Sequence, residues 1–168
     1  VRYLTACFAL VLIYFTALPA QDSTQELSIR IRQTLFPEDF TEKELRVYQI
    51  ERGSVEILIE GFDDTEAEVS VQQPLTAESQ RQLTRTIEDQ RIMSNYTDCR
   101  VYEQNKEIRL KTELMITYKG QTKVCYSFDK SFSGPLRDLI TDINQILPKE
   151  EYYVEMPERN AKLGDWEH

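Results

Sequence analysis

Histidine, cysteine and glycine are scarce in this chain, and each shortage removes a class of chemistry. Only one of its 168 residues is histidine, His168, and it is the last. Ser–His and Cys–His catalysis, and zinc sites built on imidazole, therefore lack a credible base or ligand. Three cysteines, Cys7, Cys99 and Cys125, form neither a Cys-x-x-Cys pair nor an iron–sulfur spacing. The five glycines form no loop that would cradle a phosphate. Positive charge is also in deficit, with 29 Asp and Glu against 20 Lys and Arg and a net charge of −9. Such a surface repels phosphate backbones and anionic headgroups, so no nucleic-acid partner is expected, and its plainest consequence is solubility. On this reading the chain has no catalytic residue, no cofactor and no metal site.

Carboxylates are what remains. Asp63, Asp64, Glu66 and Glu68 form the densest cluster, in a turn beginning at Phe62. They lack the alternating ligand spacing and acidic closing residue of a calcium loop, so they read as a solvated turn with a candidate role as an interaction surface.

The N-terminus supplies an address. Arg2 precedes an apolar run from Leu4 to Leu18, and Pro19-Ala20 gives way to the polar Gln21-Asp22-Ser23-Thr24. This is the layout of a secretory signal peptide over residues 1–20, although Leu18 is larger than a small-x-small cleavage pattern prefers. The competing expectation is an uncleaved membrane anchor over residues 3–20, since about twenty apolar residues span a bilayer. Lipid attachment at Cys7 would need the apolar run before the cysteine, and here it follows. A secreted or periplasmic protein is expected, with membrane association only if the segment is retained.

Export makes a disulfide between Cys99 and Cys125 the first expectation for the two remaining thiols. A simple meander opposes it, because the long strand would lie between the two cysteine strands and hold them about 10 Å apart, beyond disulfide reach. Either Cys99 curls over from a loop, or the strand order differs, or the thiols are free. Asn95-Tyr96-Thr97 is a sequon that would make Asn95 a glycosylation site in a eukaryotic source.

Without residues 1–20 the chain has the length of one domain. In residues 21–43, Ser23 and Glu26 frame a capping box, and Leu27, Ile31 and Leu35 recur every fourth residue, which predicts a short helix before Pro37. Leu27, Ile29 and Ile31 also alternate, so a strand competes. Residues 44–148 read as a single α+β domain. Strands at 44–51 and 54–60 join through Arg52-Gly53, opposing Ile50 to Val55 and Tyr48 to Ile57, while Val47 and Leu58 meet on the other face. A third strand is expected at 67–71. Thr76 then caps a helix carrying Leu83, Ile87 and Ile92 inward and ending near Met93.

Residues 99–104 and 108–118 follow as strands, with Leu110, Leu114, Ile116 and Tyr118 on one face. Parity then selects a three-residue loop, Tyr118-Lys119-Gly120, which would set Leu114 against Val124 and Leu110 against Phe128. Ser133 can cap a last helix, with Leu136, Leu139, Ile140, Ile143, Ile146 and Leu147 at helical spacing and Pro148 ending it. Residues 149–168 form an acidic tail that frays or docks as one short strand at Tyr152-Tyr153-Val154. The fold class is α+β: an antiparallel sheet of two meander or hairpin groups, with two main helices packed on one face.

In layout, with strands, a Leu-Thr-led helix, a strand pair and a closing Leu-rich helix, the chain resembles small bacterial metalloprotease inhibitors of the emfourin type. No residue of that family is carried over. The resemblance adds a secreted hydrolase inhibitor to the main expectation, an exported non-catalytic domain that binds another exported protein. An enzyme working with carboxylates alone ranks third.

Overall fold

The structure, a computed structural model, describes residues 27–36, 44–51, 53–61, 69–94, 99–101 and 109–156. The proposed signal peptide, Asn95 and the cluster Asp63, Asp64, Glu66 and Glu68 lie outside these residues.

The strands are β1 (Ser28–Leu35), β2 (Glu44–Glu51), β3 (Ser54–Gly61), β4 (Val69–Pro74), β5 (Arg100–Val101), β6 (Leu110–Tyr118) and β7 (Gln121–Phe128). Two helices, α1 (Ala77–Asp89) and α2 (Gly134–Ile146), follow β4 and β7. One sheet runs in the order β4-β3-β2-β1-β6-β7-β5. Six strands are antiparallel to their neighbours, and the two-residue β5 pairs parallel with β7. Both helices pack on the same face, as the hydrophobic pattern implied, and share one core cluster. Leu139, Ile143, Leu114, Ile116 and Ile57 are all buried within it.

Residues 28–35 are a strand and not the expected helix, and they occupy the centre of the sheet between β2 and β6. Four-residue spacing is also a multiple of two, so Leu27, Ile31 and Leu35 satisfy either period. Ile29 and Gln33 decide the matter, because both are fully buried while Arg30 and Arg32 are exposed. Hydrogen bonding on both sides of β1 overrides the local capping signal.

The β2–β3 hairpin has the expected register, with Ile50 opposite Val55, Tyr48 opposite Ile57 and Val47 opposite Leu58. The third strand runs from Val69 to Pro74, further along the chain than expected. Thr76 caps α1, its hydroxyl accepting from the Ser79 N–H at 3.1 Å. The helix stops at Asp89, earlier than expected: Arg91 adopts φ 52° and the Ile92 N–H reaches back to the Ile87 carbonyl at 3.0 Å. Ile92 still packs inward beyond the helix end.

The β6–β7 connection corrects the parity argument. Tyr118 pairs with Gln121, leaving the two-residue turn Lys119-Gly120 with φ 51° and 72°. Both values suit a type I′ turn, whose twist matches the strands. Leu114 therefore opposes Cys125, and Lys111 opposes Phe128. The inward residues of β7 are Lys123, Cys125 and Ser127, whereas Val124 is exposed and Tyr126 and Phe128 are only half-buried on the other face. Backbone twist prevailed over the bulk of the side chains.

Ser133 stands at the start of α2 but its side chain makes no capping bond. Pro135 in the first turn lacks an N–H, so one fewer donor there requires a cap. After Leu147 the chain forms a 3₁₀ turn (Glu150–Tyr152) and then docks through buried Val154. Residues 149–156 dock without forming the expected short strand.

Candidate interaction surface

Of the two edges of the sheet, the one at β7 is guarded. Strand order places β5 beside β7 and leaves β6 on the far side, so Cys99 and Cys125 are neighbours with Cα atoms 4.2 Å apart and their sulfurs at bonding distance. The meander assumption was what had separated them. The Tyr126 N–H donates to the Cys99 carbonyl at 2.8 Å, continuing the ladder outward. Lys123 points inward from this strand, and its ammonium donates to the Ile92 carbonyl at 2.5 Å, near the end of α1. An added strand, a cross-link and an inward charge are all devices that discourage further edge pairing.

β4 has none of these over residues 69–73. Its sequence there, Val-Ser-Val-Gln-Gln, carries no charge and no proline until Pro74. The direction of its backbone groups follows from one bond. The Leu75 N–H donates to the Gly53 carbonyl at 2.7 Å, so residue 75 belongs to the hydrogen-bonded set toward β3. Alternation then turns Gln73, Val71 and Val69 inward as well, and leaves the N–H and C=O groups of Ser70 and Gln72 facing outward. Ser70 and Gln72 are exposed, and among the described residues no strand pairs with this side. The helix-side row at this edge holds two valines, Val69 exposed and Val71 half-buried against the core. Gln73 reaches across from the same row and donates to the Ile146 carbonyl at the end of α2 at 2.6 Å.

Charge divides along the same axis. Residues 55–80 contain Glu56, Glu60, Asp63, Asp64, Glu66, Glu68 and Glu78 and not one Lys or Arg. Residues 109–130 contain Arg109, Lys111, Lys119, Lys123 and Lys130 against Glu113 and Asp129. Among the described residues, the unguarded edge has Glu56 and Glu60 beside it on β3, and the guarded edge lies in a basic half formed by β6 and β7. Glu88 bridges α1 to the basic half, accepting from the Tyr118 hydroxyl and the Lys119 ammonium, both at 2.7 Å. These two bonds hold the Glu88 carboxyl below its ordinary range.

Inside, two carboxamides hold the C-terminal strap. Gln33 donates to the Thr112 hydroxyl at 3.0 Å and the Glu155 carbonyl at 2.8 Å, and accepts from the Glu155 N–H at 2.9 Å. Asn144 does the same for Val154, donating to its carbonyl at 3.1 Å and accepting from its N–H at 2.8 Å. Each amide side chain imitates a strand neighbour for one strap residue. The Tyr48 hydroxyl donates to the Tyr153 carbonyl at 3.2 Å, and burial raises this phenol from 10.0 to about 12. Arg46 lies 3.6 Å from Glu155 and also pairs with Glu44. These groups are occupied by one another and fasten the fold.

A shallow groove of about 470 Å³ runs over the two helices, lined by Glu78, Arg81, Gln82, Arg85, Thr86 and Asp142 among others. Its central carboxylate, Asp142, accepts from Gln82 at 2.9 Å and Thr86 at 2.5 Å, so it ties the helices together. Among the described residues no group of three His, Cys, Asp or Glu side chains could hold a metal ion. No family model and no curated protein matches this chain.

Of the site residues singled out from sequence, Cys99 and Cys125 lie among the described residues, and the structure brings them together. Gln33, Asn144 and the β4 edge were missed. Gln33 had a signal, since it stands in phase with Ile29 and Ile31; the edge had the uncharged run after Glu68 as its only sign.

Proposed function

We propose that this chain is an exported, non-catalytic interaction domain that binds another exported protein through the acidic end of its sheet. The observation that carries this reading is the β4 edge, which among the described residues has no pairing strand on its outer side and stands beside Glu56 and Glu60 of β3. Natural sheets usually protect such an edge unless something pairs with it. Export is supported by the signal-like residues 1–20 and by the Cys99–Cys125 pair, which persists in oxidising compartments. Among the described residues no helix is long and apolar enough to cross a membrane.

The hydrolase-inhibitor reading ranks second. It asks for a stiff segment that projects into a cleft, whereas the Lys119-Gly120 turn is a tight two-residue hairpin that projects little. A carboxylate enzyme ranks third, with Asp142 already engaged by Gln82 and Thr86.

Capture from the native compartment is the test, comparing the parent chain with a Glu56→Lys/Glu60→Lys variant. One exported partner should be retained by the parent, released by salt, and lost on the charge reversal. Turnover of a substrate that disappears when a carboxylate is replaced would sink the reading.

A further inference from the structure

The chemistry of the β4 edge defines its occupant more closely than a general acidic surface does. We infer, resting on the interaction-domain reading, that β4 receives an extended segment of the partner protein as an eighth, antiparallel strand, and that this segment alternates apolar and cationic side chains. The backbone sets the pairing. Ser70 and Gln72 each present an N–H and a C=O outward, and a strand laid antiparallel against them exchanges both bonds with the residues directly opposite. Pro74 has no N–H to offer, so the ladder stops there and the added strand needs only about five residues.

Side-chain alternation sets the sequence pattern. Residues opposite Val69, Val71 and Gln73 lie on the helix side, beside an exposed valine and a half-buried one, and should be apolar. Residues opposite Ser70 and Gln72 lie on the other face, where Gln72 donates to Glu56 at 3.0 Å and Glu60 stands further along β3. A lysine or arginine in this row can extend toward both carboxylates. Glu56 and Glu60 disfavour an acidic segment, and they disfavour a second copy of this chain, which would bring its own Glu56 and Glu60 to the same edge.

Binding is measured with the full chain and a capped heptapeptide, Thr-Val-Lys-Val-Lys-Val-Thr, by calorimetry at low salt. N-methylation of the two lysine amides should weaken binding about tenfold or more, because those N–H groups face β4, whereas N-methylation of the valine amides should change it little. Exchanging the lysines for glutamates should abolish it. Gln72→Pro, which removes an outward N–H from an exposed position, should weaken binding about tenfold, with circular dichroism reporting the fold. The N-methyl comparison needs no variant and remains decisive if that protein does not fold.

Equal affinity for all peptides, no binding at all, or sensitivity to the valine set alone would overturn the inference. So would sedimentation of a dimer that Gln72→Pro dissociates, since a second copy would then be the occupant. Retention of the exported partner by a folded Gln72→Pro variant at unchanged affinity would also overturn it, while leaving the interaction reading standing. Substrate turnover, in contrast, would sink that reading without altering peptide binding.

Discussion

The two edges of this sheet receive opposite treatment from one chain. At β7 a short strand, a cysteine pair and an inward lysine close off or discourage further pairing; at β4 the outward amides of the exposed residues 70 and 72 meet no strand among the described residues, and the strand carries no charge. The protected edge shows that this sequence has the means to guard a strand, and among the described residues these devices stand at one end of the sheet.

Removing the guard should have the largest effect. Cys99→Ala/Cys125→Ala opens a link of sequence separation 26, costing about 3–4 kcal/mol by chain entropy, and it leaves a void at the fully buried Cys125. Urea denaturation should show an unfolding free energy lowered by that amount, with an earlier midpoint, and reductant should reproduce most of it in the parent. An unchanged midpoint would mean that the cross-link does not guard this edge. Next comes the core common to both halves: Leu139→Ala, at a fully buried position on α2, should cost about 2–5 kcal/mol by the same measurement.

pH separates two parts of the sheet. Tyr48, on β2, has its phenol raised from 10.0 to about 12 chiefly by burial. Its contribution is whole below the unfolded value near pH 10 and is lost as pH rises toward 12, at about 1.4 kcal/mol per unit. Tyr48→Phe should flatten that part of the stability curve. Glu88, at the basic half, is held low by Lys119 and Tyr118, so its contribution is present above the ordinary carboxylate range and is lost as pH falls through the folded value. Glu88→Gln should remove this acid-side slope and leave the alkaline one intact.

The smallest effect on stability is expected at the open edge. Gln72→Lys, at an exposed position with an exposed partner, should change the unfolding free energy by less than about 0.5 kcal/mol. A large loss there would show that β4 is already covered, and the contrast between the edges would fail.

What could be read from the sequence followed the reach of each signal. The β2–β3 register, the Thr76 cap and the stripe of α2 depend on residues within one hairpin or one helix, and all three were legible. β1 was not, because spacing by four fits both periods and the residue that breaks the tie, Gln33, is polar yet buried by a partner at the other end of the chain. β7 misled because its bulky residues face away from the helices while Lys123 and Ser127 face in. The candidate site was least legible. An edge is a property of strand order, and nothing local announces that β1 inserts between β2 and β6, sending β4 and β5 to opposite ends.

The clamp at Gln33 also imposes a timetable. Its carboxamide meets Glu155, 122 residues further on, and its strand lies against β6, which is likewise made late. As the chain emerges from the ribosome, or from any pore it is threaded through, β1 and β2 can pair early but the middle of the sheet stays one-sided until β6 arrives. Closure waits for Asn144 and Gln33 to capture the strap. A chain cut short before residue 154 would leave both carboxamides without their backbone partners, so the clamp can fasten only once synthesis has passed Glu155.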